Sequence, residues 1–140
     1  MGYLEPLGKK VRDVMTRGVV TVRFDAGLEE VLRAMKENDV TAVVAVDPSD
    51  EAMGVITTFD ILRIFRDHAK EELMAMTAED VMTPTVEHVM PTESLENAAK
   101  KMLEKKIHRL VIFSSETGRV PVGVLSSTDM MKILCENLRR

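Results

Sequence analysis

The sequence predicts an α/β fold made of two copies of one roughly 65-to-70-residue unit joined head to tail. Three observations predict it. The string Asp13-Val14-Met15-Thr16 recurs as Asp80-Val81-Met82-Thr83, 67 residues on. At the same shift Leu28, Val31, Leu32 and Met35 become Leu95, Ala98, Ala99 and Met102, two apolar stripes at helical spacing. The apolar runs Thr41–Val46 and His108–Phe113 then read as buried strands, again 67 residues apart.

Taken in order, each copy opens on a short helical lead-in, Val11–Met15 or Glu79–Met82. A strand follows, then the amphipathic helix. Asp25 and Thr92 precede these helices and are expected to cap them, because their side-chain oxygens can accept an orphan backbone N–H. After the buried strand comes a hairpin, Asp47-Pro48-Ser49-Asp50 in one copy and Ser114-Ser115-Glu116-Thr117-Gly118 in the other, where the second copy carries two extra residues. The return strand and its turn, Gly54-Val55-Ile56-Thr57-Thr58-Phe59-Asp60, therefore align with Gly123-Val124-Leu125-Ser126-Ser127-Thr128-Asp129 at a shift of 69. A last helix closes each copy, with Ile61, Leu62 and Phe65 answered by Met130, Met131 and Leu134. The order is short helix, strand, helix, strand, strand, helix, with the copies spanning 9–70 and 77–138. The charged stretch Arg66–Glu72 reads as the solvated end of a helix plus a linker.

Composition narrows the function. With 140 residues, 45% hydrophobic and 30% charged, the chain suits one compact domain or two half-size units sharing a core. A net charge of -4 argues against nucleic acid as a partner. Cys135 has no second cysteine to pair with and reads as a small apolar residue of the last helix. No apolar run reaches the ~18 residues that span a bilayer, and Met1-Gly2-Tyr3-Leu4-Glu5-Pro6 has no secretory core, so no membrane partner and a cytoplasmic location are expected. Pro6 stands where a myristoylation signal on Gly2 wants Ser or Thr. The methionines at 35, 82, 102, 130 and 131 fall on periodic apolar positions and are expected in the core.

The chemistry concentrates at the two strand-to-helix turns. A helix starting directly at a strand end points backbone N–H groups and a positive dipole end outward, which attracts phosphate. The hydroxyls of Thr57, Ser126 and Thr128 can add hydrogen bonds, and Asp60 and Asp129 can accept from vicinal sugar hydroxyls. The competing reading is that Ser/Thr-x-x-Asp only caps the helix. Capping requires neither the glycine nor the repeated spacing, which favours a ligand. The second copy alone carries Lys105-Lys106-Ile107-His108-Arg109, where Arg109 can clamp a phosphate bidentately and His108 can donate beside it; the alternative is an exposed basic strand entrance.

With the duplicated Asp-Val-Met-Thr opening, the Ile107-His108-Arg109-Leu110 strand and the two Gly-x-x-Ser/Thr-x-x-Asp turns assembled, the chain closely resembles a tandem pair of cystathionine-beta-synthase (CBS) domains, a Bateman module, over residues 9 to 138. The resemblance implies a pseudo-twofold arrangement packed through small sheets, with two clefts that bind AMP, ADP, ATP or a relative such as S-adenosylmethionine, and modules that pair into homodimers. It implies ribose or phosphate roles for Thr57, Asp60, Ser126, Thr128 and Asp129, and phosphate roles for His108 and Arg109. Phe59 replaces Thr128, and Thr41-Ala42 replaces His108-Arg109, so the clefts are expected to be unequal, with Asp129 favoured. Arg109 reaching across to the Asp60 cleft stays open.

Catalysis is the least supported class. His68, His88 and His108 lie 20 residues apart, without zinc spacing, and no nucleophile motif with a partnered base is visible, so no catalytic residue, metal or catalytic cofactor is expected. Two readings remain: a regulatory module sensing an adenosine-containing small molecule, or a ligand-free dimerisation or interaction scaffold. The effector is expected to be a separate protein.

Overall fold

The computed structural model describes residues 8–115 and 118–138. The N-terminal string through Pro6, and Glu116 and Thr117 of the second hairpin, lie outside the described residues. The chain divides into two compact units: Val19–Val86, and the residues through Gly18 together with those from Glu87 on. Among the described residues no helix is long and apolar enough to cross a membrane.

In chain order the elements are α1 (Val11–Val14), β1 (Thr16–Arg17), β2 (Thr21–Arg23), α2 (Leu28–Glu37), β3 (Ala42–Val46), β4 (Ala52–Thr57), α3 (Thr58–Asp67), α4 (Lys70–Met74), α5 (Ala78–Val81), β5 (His88–Val89), α6 (Leu95–Lys105), β6 (Arg109–Phe113), β7 (Pro121–Ser126) and α7 (Ser127–Leu138). This is the mixed α/β architecture expected from the repeat.

The central unit, Val19–Val86, holds a three-stranded sheet in the order β2-β3-β4. β2 and β3 are parallel and α2 is their crossover, whereas β3 and β4 form an antiparallel hairpin. Leu28, Val31 and Met35 of α2 pack on Val43, Ala45 and Ile56, with Leu32 partly buried beside them. β3 is buried along Val43–Val46, which is why it reads as an unbroken apolar run and not as an alternation.

The split unit repeats this plan with a fourth strand, in the order β1-β7-β6-β5. β5 and β6 are parallel around α6, and β6 and β7 are antiparallel. Leu95, Ala98 and Met102 of α6 pack with Leu110, Ile112 and Leu125. The extra strand is the lead-in of the first copy: Thr16 pairs with Val124 and Arg17 with Gly123.

Sequence repeats and compact units therefore have different boundaries. α1 folds with the body of the second copy and α5 with the body of the first. The bonds that hold them recur one for one. Ala78 N donates to Ala26 O at 2.8 Å and Glu79 N to Phe24 O at 2.9 Å; Val11 N donates to Glu93 O at 2.8 Å and Arg12 N to Pro91 O at 3.0 Å. These contacts satisfy N–H groups that open a helix and have no acceptor within it. Asp80 Oδ2 accepts from Thr77 N at 2.9 Å and Asp13 Oδ2 from Lys10 N at 2.8 Å, so the aspartate of the repeated string is a first-turn cap.

Four expectations are corrected. The N-caps of α2 and α6 are Gly27 and Ser94, two residues beyond Asp25 and Thr92. Gly27 offers no side chain, and Leu28 N donates to Met76 O at 3.1 Å instead; Ser94 Oγ accepts from Asn97 N at 3.1 Å. The stretch after α3 is not a plain linker: α4 forms there and buries Leu73. Met131 is 62% exposed, because α7 turns Met130, not its neighbour, onto the core. Met35, Met102 and Met130 are buried and Met82 is partly buried against the core, as their spacing indicated. Cys135 lies on α7 as expected but is exposed.

Candidate functional site

The two motif turns fold alike. β4 runs into α3 between Thr57 and Thr58, and β7 into α7 between Ser126 and Ser127. Thr57 Oγ1 accepts from Asp60 N at 3.4 Å, and Ser126 Oγ from Asp129 N at 3.1 Å. In return Asp60 Oδ2 accepts from Thr57 N at 2.8 Å and Thr57 Oγ1 at 3.0 Å, while Asp129 Oδ2 accepts from Ser126 N at 2.9 Å and Ser126 Oγ at 3.0 Å. Each turn is a reciprocal capping box. Capping thus uses one oxygen of each carboxylate, and the other, Oδ1, faces elsewhere.

At Oδ1 the copies diverge. Asp60 Oδ1 is ion-paired with Arg63 Nη1 at 3.2 Å, and Asp60 is 8% exposed. Asp129 Oδ1 accepts instead from Thr16 Oγ1 at 3.2 Å, and Asp129 is half-buried. Sequence reasoning missed both partners. Thr16 was visible only as the last letter of the repeated string, and its place beside Asp129 follows from β1 joining β7.

Of the other candidates, Arg109 opens β6 with its Cα directly across from Ser126. Directly paired residues project to the same face of a sheet, so the guanidinium and the Ser126 hydroxyl share a side. Arg109 Nη1 is buried and has no hydrogen-bond partner among the described residues. Burial pulls the Arg109 pKa below its ordinary value, yet a guanidinium titrates so high that it stays charged at neutral pH. The His108 side chain is exposed; its carbonyl accepts from Ser127 N at 2.8 Å, as Thr41 O does from Thr58 N at 3.0 Å. Thr128 is exposed on the first turn of α7. Lys105 ends α6 within 3.9 Å of Glu87, and Lys106 follows it exposed. In the split unit Arg109 pairs across from Ser126, Ser126 is bonded to Asp129, and His108 reaches the turn through its backbone carbonyl; in the central unit Thr57 and Asp60 bond each other. A separate open groove of about 370 Å³ in the central unit, lined by Leu28, Leu32, Phe65, Leu73 and Met74 among others, contains none of them.

No group of three His, Cys, Asp or Glu side chains among the described residues is arranged to hold a metal ion.

The same strand-to-helix capping box thus recurs in both of the duplicated α/β units, which defines a class of tandem-repeat α/β modules. The CBS domain matches residues 11–67 and again residues 78–136, and the chain belongs to that family. Uncharacterized protein MJ1225 of Methanocaldococcus jannaschii is 27% identical over 132 residues, covering 94% of this chain and 45% of that protein. Homoserine O-acetyltransferase of Methanohalobium evestigatum is 27% identical over 126 residues, 90% of this chain and 24% of that enzyme. The chain thus spans less than half the length of these relatives. Among solved structures, CBSX2 in complex with AMP superposes with a TM-score of 0.80 at 25% identity, covering 95% of this chain and all of that one. The CBS domain pair of protein MJ0100, in complex with 5'-methylthioadenosine and S-adenosyl-L-methionine, superposes with a TM-score of 0.80 at 20% identity, covering 92% and 98%.

Proposed function

We propose that the chain is a regulatory module that senses an adenine nucleotide of the AMP, ADP or ATP class, with the ribose at Ser126 and Asp129 and the phosphate at Arg109 and His108. Thr128 adds a hydroxyl at the helix start, and Thr57 and Asp60 form a second, weaker position. The observation that carries this reading is the buried Nη1 of Arg109, unpartnered among the described residues and set in register with Ser126. A buried donor without an acceptor costs free energy, and an anionic oxygen is the partner that recovers most of it. The structural likeness to an AMP complex at 25% identity supports the same class of ligand.

The module biases an activity carried outside these residues, since ligand binding shifts whichever arrangement it prefers. A relative of which this chain covers only a quarter, and which is itself an enzyme, supports that division of labour. Homodimerisation belongs to the same reading and is supported by the exposed Phe59 and Leu62 on α3 and Met131 and Leu138 on α7.

Isothermal titration with AMP, ATP and S-adenosylmethionine tests the proposal. Heat with a phosphorylated adenosine that disappears in Asp129→Ala, in a variant still folded by circular dichroism, supports it. Silence for all three ligands leaves the scaffold reading.

A further inference from the structure

We propose, resting on the homodimer reading above, that the contact between two copies joins unlike units: α3 of one copy packs against α7 of the other. The formal charge of -4 is unevenly spread along the chain. Val19–Val86 carries 14 Asp and Glu against 6 Lys and Arg, a net -8, whereas the split unit carries 9 against 13, a net +4. Two acidic units brought face to face repel, as do two basic ones, but an acidic unit facing a basic one attracts. At physiological ionic strength, charges within about 8 Å of each other still interact, which covers the groups along a helix contact.

Shape selects the same pairing by a separate route. α3 exposes Phe59, Leu62 and Phe65, and α7 exposes Met131 and Leu138. Cys135, also exposed, stands four residues after Met131 and three before Leu138, so α7 carries one continuous apolar stripe. The two stripes differ in bulk. At the 69-residue shift Phe59 and Arg66 of α3 are answered by Thr128 and Cys135 of α7, and all four are exposed. Facing positions pack densely where large side chains alternate with small ones, so α3 fits α7 better than it fits a second α3.

Cys135 is the chain's one cysteine and lies in the proposed contact, so it serves as a reporter. The full chain is mixed in equal parts with the double variant Arg66→Cys, Cys135→Ser, which moves the thiol to the matching turn of α3 at the loss of one exposed ion pair. A short bis-maleimide is added and peptide mapping identifies the thiols it joins. Links between position 66 and Cys135 are expected to exceed Cys135–Cys135 and 66–66 links by about tenfold. Sedimentation of the unmodified chain gives a second reading that needs no variant: its dimer dissociation constant is expected to rise by about tenfold as NaCl goes from about 0.05 to about 0.5 M. Cross-links mainly between like positions overturn the proposal, as does a dimer that tightens with salt. A salt-tightened dimer joined through Cys135–Cys135 removes the pairing of unlike units and leaves the homodimer reading standing. A chain that sediments as a monomer throughout removes both, and calorimetry with AMP judges the nucleotide reading independently of either.

Discussion

Gly123 lies against the backbone of Thr16, so close that a Cβ on it would stand 2.7 Å from the Thr16 carbonyl oxygen and 3.3 Å from Met15 Cε. Gly54 stands in the same relation to the other lead-in, where a Cβ would meet Met82 Sδ at 2.6 Å and Thr83 O at 2.7 Å. The glycine of one repeated motif and the Met-Thr of the other are two sides of a single contact. The lead-in strand is thereby seated on β7, or on β4 through the Val55–Thr83 bridge, and in the split unit this brings Thr16 to Asp129.

Gly123→Ala and Gly54→Ala are therefore expected to destabilise the chain by about 1–3 kcal/mol each, the range for forcing atoms into filled space. A side chain such as Met82 can swing aside, but a carbonyl held in a sheet cannot without moving its strand. Urea denaturation reads the loss. A midpoint within error of wild type for both variants would contradict the close approach.

The periodic features were legible because they depend on one element at a time. Leu28, Val31 and Met35 had to share a helical face whatever lay opposite, and Val43–Val46 had to be a strand with both faces buried. The exchange of lead-ins was not legible, because two copies of one string do not say which body each folds onto. Only bonds such as Val11 N to Glu93 O decide that. The N-caps went astray for the same reason: Asp25 is a good cap in isolation, yet Leu28 N already has a tertiary acceptor in Met76 O. The Ser/Thr-x-x-Asp spacing marks the strand-to-helix turns that the structure has, but the partners on Oδ1 depend on a rotamer for Arg63 and on tertiary pairing for Thr16.

Ser94→Ala should cost about 1 kcal/mol, the usual value of a lost N-cap, since Ser94 Oγ is the acceptor for Asn97 N. Thr92→Ala, at an exposed position two residues earlier, should stay within about 0.5 kcal/mol of wild type. Chemical denaturation of the two variants side by side checks the assignment; a larger loss at Thr92 would restore it as the cap.

Lys106 closes α6 in the left-handed region at φ 55°, while Ile107 N bonds back to Met102 O at 3.0 Å. A side chain with a Cβ pays about 1 kcal/mol or more for that conformation, and glycine does not. Lys106→Gly is expected to raise stability by about 0.5–1 kcal/mol after the greater freedom of glycine in the unfolded chain is set against the relief. Asp39, at the matching position after α2 with φ 51°, should gain less from the same change, because aspartate tolerates this region better than lysine. Thermal unfolding of both variants ranks them, and a lower midpoint for Lys106→Gly would contradict the strain.

Arg109→Ala should separate stability from binding. Among the described residues Nη1 is buried without a partner, and a deserted buried donor costs about 1–3 kcal/mol. Removing the side chain lifts that cost but also removes the packing of its methylenes, so stability is expected to hold or rise by up to about 1 kcal/mol. Binding should move the other way. Charge-assisted hydrogen bonds to a phosphate contribute about 1.5–3 kcal/mol, so AMP affinity should fall by about 10-to-100-fold. Adenosine carries no phosphate and should bind Arg109→Ala as it binds the wild type. Denaturation and calorimetry on one preparation test all three: an equal loss for adenosine and AMP would assign Arg109 to the shape of the site rather than to the phosphate, and a large drop in stability would mean that its guanidinium is satisfied in solution.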